Sequence, residues 1–193
     1  MQESVIRTTT KLAMTIVGNY VREGDVAVDA TAGNGHDTLA LLRLVGGSGK
    51  VYAFDIQRQA IERTNKLLTE SAPFLLANVS LVCDSHENLS AYVEEKGRIS
   101  AVVFNLGYLP SGDKSINTKA ESTVSAMEES LKMLKKGGLL SVVMYPGTDT
   151  GKIERDAVLS YVQTLPVKNY HVCRCDMPNS PGVSPEILWI ETK

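Results

Sequence analysis

The chain has 193 residues, 43% hydrophobic and 22% charged, with a formal net charge of −2 at pH 7. That length suits one α/β core and is short for two ordinary domains, so residues 1–193 are expected to form a single domain. The charge excludes a uniformly basic nucleic-acid binder but not a local basic patch, and no apolar run approaches the ~20 residues of a membrane span.

The N-terminus lacks the charged, apolar, small-residue pattern of an export signal. The cysteines are Cys83, Cys173 and Cys175, an odd number with no C-x-x-C pair. This opposes a disulfide framework and a zinc site, and it fits reduced thiols in a cytoplasmic protein.

Residues 4 to 22 carry Leu12, Ala13, Ile16, Val17, Tyr20 and Val21 at helical spacing, with Gly24-Asp25 as the stop. Arg7-Thr-Thr-Thr10 reads as the helix entry or, alternatively, as a substrate-facing segment. Val26-Ala-Val-Asp29 is a buried strand, and Thr31 to Gly35 is a small-residue turn. Leu39, Leu42 and Val45 then mark a helix. Strand, glycine turn and helix together present backbone N–H groups to a nucleotide-like ligand.

The glycine run here is Gly33-Asn-Gly35-His-Asp-Thr38, without the third glycine of a dinucleotide fingerprint. An acid, Asp29, sits at the strand end. It would repel a pyrophosphate and suit a cation such as the ammonium of a methionine moiety. Asp37 adds negative charge at the helix start, where the macrodipole favours it. The turn resembles motif I of class I S-adenosylmethionine (SAM) methyltransferases, with Thr31 where the first glycine is usual.

Gly46 to Gly49 end this helix, and Lys50 to Asp55 form a second strand with a terminal acid. About 20 residues beyond a glycine turn, such an acid meets the ribose hydroxyls of a nucleoside, with Gln57 beside the same sugar or the adenine edge. Asp55 is equally placed to cap the helix carrying Ala60, Ile61, Thr64, Leu67 and Leu68. Asn78 to Cys83 is a third strand. It runs into Asp84-Ser85-His86-Glu87, where Ser85 and His86 are candidates for adenine contact. His86 is either a general base or a capping and packing residue. No G-x-S-x-G elbow supports a serine hydrolase.

Ile99 to Phe104 is apolar enough for a central strand. It enters Asn105-Leu-Gly-Tyr-Leu-Pro-Ser-Gly-Asp-Lys114, which resembles the N-P-P-Y loop of amino methyltransferases as Asn105-Leu106-Gly107-Tyr108. Asn105 Oδ1 and the Leu106 carbonyl suit acceptance of amine hydrogens, and Tyr108 suits stacking on a base. Asn117 or Thr118 is expected to cap a helix burying Val124, Met127, Leu131 and Leu134, ended by Gly137-Gly138. Lys132, Lys135 and Lys136 then match its C-terminal dipole or form an RNA-facing patch. Leu139 to Tyr145 is a fifth strand, with a loop at Pro146 to Gly151. Glu154, Ala157, Val158, Tyr161 and Leu165 mark a last helix. Residues 168–174 and 186–191 form a closing hairpin. The proline-rich 177–185 stretch is a substrate-side loop or a connector.

These phrases occur together and in order: Asp-Ala-Thr-Ala-Gly-Asn-Gly-His-Asp-Thr, Phe54-Asp-Ile-Gln57, Ser85-His86 and Asn-Leu-Gly-Tyr-Leu-Pro-Ser-Gly-Asp-Lys. The combination resembles the bacterial family labelled "putative rRNA methylase". Some members are tRNA methyltransferases that convert 5-aminomethyl-2-thiouridine at the wobble position to its methylaminomethyl form. The resemblance implies a Rossmann-like class I methyltransferase of α/β class: a mostly parallel seven-stranded sheet, an antiparallel C-terminal hairpin and helices on both faces.

It also implies SAM as cofactor and tRNA or another RNA as partner; a homodimer is compatible with it. The implied cofactor contacts are Asp29, Gly33, Asn34, Gly35, Asp37 and Thr38 in the turn, with Asp55, Gln57, Ser85 and His86 beyond. Asn105 and Tyr108 are the implied catalytic pair. The family's Tyr-x-Gly-His is here Tyr145-Pro-Gly-Thr148, so no histidine role transfers to that loop. The alternatives are methylation of an exocyclic amine on rRNA or DNA or of a small-molecule amine, a non-catalytic SAM- or nucleotide-binding RNA partner, and an NAD-linked redox enzyme.

Overall fold

The apolar runs assemble into a single sheet because their side chains alternate between two buried layers. The computed structural model describes residues 8–107 and 118–193. Its strands are β1 (Val26–Asp29), β2 (Lys50–Phe54), β3 (Val79–Val82), β4 (Ile99–Asn105), β5 (Leu134–Met144), β6 (Tyr170–Cys175) and β7 (Glu186–Thr192). They form a seven-stranded sheet in the order β3-β2-β1-β4-β5-β7-β6. β7 runs antiparallel to β5 and β6, and the other pairs are parallel.

The helices are α1 (Thr9–Val17), α2 (His36–Val45), α3 (Arg58–Ser71), α4 (Leu89–Tyr92), α5 (Ala120–Met133) and α6 (Asp149–Gln163). Ala27, Val51, Ala101, Val103 and Leu139 point to one face, against Val17, Leu41, Leu42 and Leu68 of α1, α2 and α3. Val28, Phe54, Val102, Phe104 and Leu140 point to the other, against Leu89, Met127, Leu131 and Val158 of α4, α5 and α6. Full burial of each large apolar side chain contributes ~1.5–3 kcal/mol. Covered faces on both sides explain why β1 and β4 read as continuous apolar runs.

Several boundaries differ from those expected. α1 ends at Val17, and Gly18, Asn19, Tyr20 and Val21 turn back onto its last carbonyls. Thr8 is its N-cap and accepts from Lys11 N at 3.3 Å; Arg7 lies outside the described residues. α5 ends at Met133 rather than at the glycine pair. Leu134 already pairs with Ile99, and the next partners along the two strands are Leu139 and Ala101. Lys135 to Gly138 therefore bulge out of β5. A Cβ on Gly138 would lie 2.8 Å from the Lys135 carbonyl, so the glycine serves a strand irregularity and not a helix end.

The expected cap also fails. Lys119 holds the N-cap position of α5 with no side-chain bond, Thr118 is engaged elsewhere, and Asn117 lies outside the described residues. Among the described residues, no helix is long and apolar enough to cross a membrane.

Candidate functional site

The chain leaves β1 towards β2 and β3 on one side, then crosses to β4 and β5 on the other. That reversal opens a crevice at the carboxyl ends of β1 and β4, where open α/β sheets bind ligands. A cleft of about 1180 Å³ lies there. A single small-molecule site is commonly ~300–1,000 Å³, so this open cleft lies at the upper end of that scale.

The β1 turn is built around Asp29. Its Oδ2 accepts from Thr38 Oγ1 at 2.6 Å and its Oδ1 from Thr31 N at 3.1 Å. The side chain is fully buried and absent from the cleft wall. Burial, helped by the nearby Asp37, pushes its pKa up to about 7. Asp29 therefore stands behind the cleft wall in this structure, and its carboxyl ties the turn to α2. Thr38 shares that buried bond, and Gly35 is also behind the wall. Gly35 has a φ of +83°, and a Cβ there would lie 2.9 Å from Thr64 Cα. Its lack of a side chain serves the approach of turn to α3 rather than a ligand.

Thr31 replaces a glycine for a visible reason. Its Oγ1 accepts from Asn105 N at 2.7 Å, so the tips of β1 and β4 are joined by a side chain. Asp55 joins the β1 and β2 tips in the same way, Oδ2 accepting from Gly33 N at 3.0 Å and Oδ1 from Gln57 N at 2.9 Å. Asp55 is not the helix cap; Gln57 occupies that position. Each carboxylate oxygen retains a lone pair for a ligand hydroxyl. Burial raises the Asp55 pKa, against these two backbone bonds.

Asn105 Nδ2 donates to Asp37 Oδ2 at 2.7 Å. Its Oδ1 is buried and has no partner among the described residues. Burial raises the pKa of Asp37, opposed by the Asn105 bond. At the β3 tip, Ser85 Oγ accepts from Glu87 N at 3.3 Å and caps a short turn. His86 stacks edge-on to Phe104, with centroids 5.6 Å apart. It is bonded to the Ala30 backbone, burial lowers its pKa, and its buried Nε2 is unpartnered. Packed in this way, the imidazole is a wall of the site with one open nitrogen.

Gly33, Asn34, Asp37, Asp55, Gln57, Ser85, His86 and Asn105 all line the cleft. Tyr108 lies outside the described residues. Sequence reading missed Thr31, Thr118, Tyr145 and Glu154 as cleft residues. Glu154 is 4% exposed, and accepts from Thr118 Oγ1 at 2.7 Å and from Thr123 Oγ1 at 2.6 Å. An acid sharing the helical spacing of Ala157, Val158, Tyr161 and Leu165 is the available signal. Thr148 lines the cleft and caps α6, accepting from Gly151 N at 3.0 Å. Val183 and Pro185 also reach the cleft, so the proline-rich stretch contributes to its wall.

The three lysines are elsewhere. Lys135 Nζ lies 3.0 Å from Asp25 Oδ1, at the amino end of β1, and Lys132 pairs with Glu128 and Glu129 on α5. The cluster sits at the opposite edge of the sheet from the cleft.

Known proteins share this architecture. The chain is 40% identical over 178 residues to an Arabidopsis thaliana protein named "tRNA (mnm(5)s(2)U34)-methyltransferase, chloroplastic", covering 89% of this chain and 65% of that protein. It thus spans less than two thirds of that relative's length. A crystal structure described as a "putative rRNA-methylase" from Clostridium thermocellum is 40% identical, with a TM-score of 0.93 over 98% of this chain and 100% of that one. A "putative methyltransferase" from Streptococcus mutans, solved in complex with SAH, is 34% identical, with a TM-score of 0.85 over 100% of both chains. The fold is that of class I methyltransferases. Residues 51–191 match the family model described as "Putative rRNA methylase", and the chain belongs to that family.

Proposed function

We propose that this protein is a SAM-dependent RNA N-methyltransferase acting on the aminomethyl nitrogen of 5-aminomethyl-2-thiouridine at the tRNA wobble position. The observation that carries the reading is the unpartnered, buried Asn105 Oδ1 at the tip of a central strand, beside a nucleoside-type crevice. A buried acceptor without a partner is rare unless a ligand supplies one.

The residues present suit SAM. Asp37 and Asp55 give the crevice a negative field for a ligand bearing a sulfonium and an ammonium. Asp55 would hold the ribose hydroxyls, Ser85 and His86 the adenine, and Gly33 and Asn34 the methionine end. When bound, SAM would supply an electrophilic methyl group to the neutral amine.

The chain's own work is orientation. Asn105 Oδ1 and the Leu106 carbonyl accept the hydrogens of the amine, which turns its lone pair towards the methyl carbon and supports the growing positive charge. Held in this geometry, the amine gains the rate advantage of proximity. The amine attacks only when neutral, and desolvation in the cleft lowers its pKa towards that form. Tyr108 is assigned to stacking on the base. The Arabidopsis relative's name specifies the same nucleoside position.

Labelled SAM and tRNA carrying the aminomethyl group test this. Methyl transfer to that tRNA, and none to the same tRNA lacking the group, is expected. Transfer to unmodified transcripts or to rRNA would overturn the substrate, and tight SAM binding without turnover on any RNA would overturn the activity.

A further inference from the structure

The Leu106–Gly107 peptide is held by its N–H group. Gly107 N donates to Thr118 Oγ1 at 2.9 Å, and Thr118 N donates back to the Gly107 carbonyl at 3.0 Å. Among the described residues no peptide bond is cis. In a planar trans peptide the N–H and the preceding C=O point in opposite directions. Fixing the Gly107 N–H therefore fixes the direction of the Leu106 carbonyl.

Thr118 Oγ1 has one hydrogen and accepts from Gly107 N only if that hydrogen points elsewhere. It points to Glu154 Oε2, 2.7 Å away, and the other oxygen of Glu154 receives Thr123 Oγ1 at 2.6 Å. A carboxylate can only accept, so the direction of the chain is settled from Glu154 outwards: Gly107 N–H to Thr118, Thr118 O–H to Glu154. Glu154 is buried on α6 and lines the same cleft as Asn105. A carboxylate removed from water needs such partners, and here they are two hydroxyls rather than a cation.

We infer that Glu154 is a positioning residue for the transfer: through Thr118 it orients the Leu106–Gly107 peptide so that the Leu106 carbonyl joins Asn105 Oδ1 in gripping the amine. The inference rests on the N-methyltransferase reading above. It separates two roles within a single cluster. Thr118 and Glu154 act on the substrate amine through the backbone, whereas Thr123 only helps to satisfy the buried acid.

The test compares Thr118→Val, Glu154→Gln, Thr123→Val and Thr118→Ser. Thr118→Val removes the acceptor for Gly107 N at nearly constant volume. Glu154→Gln makes one end of the buried group a donor, so the side chain no longer fixes which way the Thr118 hydroxyl points. Both are expected to lower kcat by about 10- to 100-fold at saturating SAM and tRNA, the scale on which small misplacements cost rate. Both should also speed hydrogen exchange at the Gly107 amide while the SAM Kd stays within about twofold. Thr118→Ser keeps the hydroxyl and should restore kcat and exchange. Thr123→Val should lower Tm yet keep the Gly107 protection and most of kcat.

Parent-like kcat in Thr118→Val and Glu154→Gln would overturn the inference. So would an equal loss of kcat in Thr123→Val, which would make Glu154 a general support of the helix pair. A parent enzyme inactive on aminomethyl tRNA would instead sink the substrate reading. The Gly107 exchange would then still decide whether Glu154 holds this peptide, and unchanged exchange would end the inference on its own.

Discussion

Asn105 Nδ2 lies 2.7 Å from Asp37 Oδ2, and this contact decides which end of the Asn105 amide faces open space. An ionised carboxylate accepts only, so it takes the amide's donor end and leaves Oδ1 unpartnered. The acidic group at the start of α2 thus serves the tip of β4, five elements and 68 residues further along the chain. Asn105→Ala removes the open acceptor. The expected result is a fall in kcat of about 100-fold or more, the usual scale for deleting one preorganised polar group that acts on developing charge. Steady-state kinetics at saturating SAM would show it, and an Asn105→Ala enzyme as fast as the parent would contradict the mechanism.

Asp55 offers a second test because both of its oxygens already accept backbone N–H groups, from Gly33 and Gln57. Asp55→Asn can satisfy only one of the two, since its NH2 end would face the other N–H donor. The β1 and β2 tips should then part, and the acceptor proposed for the ribose should weaken as well. Losing hydrogen bonds to a charged group costs ~1.5–3 kcal/mol, so SAM should bind about 10- to 150-fold more weakly. Isothermal titration with SAM checks this. Parent-like affinity would remove Asp55 from the cofactor site.

The pH dependence of stability follows from Asp29, whose pKa is pushed from 3.8 to about 7 by burial first and by Asp37 next. Between these values the native state holds a proton that the unfolded state has released. Unfolding therefore releases a proton in this range, and stability contributed by Asp29 falls as pH rises from about 4 to about 7, then levels off. A difference of this size corresponds to ~4 kcal/mol. Asp37, Asp55 and Glu154, all raised by burial, act with the same sign. Asp25, lowered with help from the Arg22 backbone N–H and Lys135, acts oppositely, in a window below the usual carboxylate range. Urea melts of the apo protein at pH 5 and pH 8 should give the greater stability at pH 5. Asp29→Asn should flatten the difference, and a parent protein more stable at pH 8 would contradict the assignment.

The sheet and most of the cleft were legible in the sequence because they depend on local patterns: apolar runs, a glycine turn, and acids or an amide at strand ends. Asp55 and Asn105 stand out by position alone. The place of Asp29 at the strand end is legible, but the turn of its side chain towards Thr38 and away from the cleft is not. Its partner Thr38 is one of many polar residues the sequence offers, and burial is a property of the assembled turn. Thr31 looked like a departure from a glycine motif, and only the approach of β4 gives its hydroxyl a purpose. Glu154 is separated from Thr118 by 36 positions and from Thr123 by 31, so no local pattern could join them. The Gly137-Gly138 pair signals a break equally well in a helix or a strand, and pairing of Leu134 with Ile99 decides between them.

That boundary changes what the neighbouring lysines can do, and it gives a last prediction. With α5 ending at Met133, Lys135 and Lys136 lie in the β5 bulge at the amino edge of the sheet. Lys135 is committed to Asp25 at 3.0 Å, with side chains 36% and 21% exposed. A partly exposed pair of this kind is worth ~0–1 kcal/mol. Lys135→Ala should therefore lower the unfolding free energy by no more than ~1 kcal/mol. Because the cluster is at the far edge from the cleft, Lys135→Ala and Lys136→Ala should also leave the tRNA Kd and its salt dependence close to those of the parent. A phosphate contact would show itself as a drop of nearly one in the slope of log K against log salt for each lysine removed. Binding curves across a salt series would reveal that drop, and its appearance would return the lysines to the RNA surface and extend the footprint around the sheet edge.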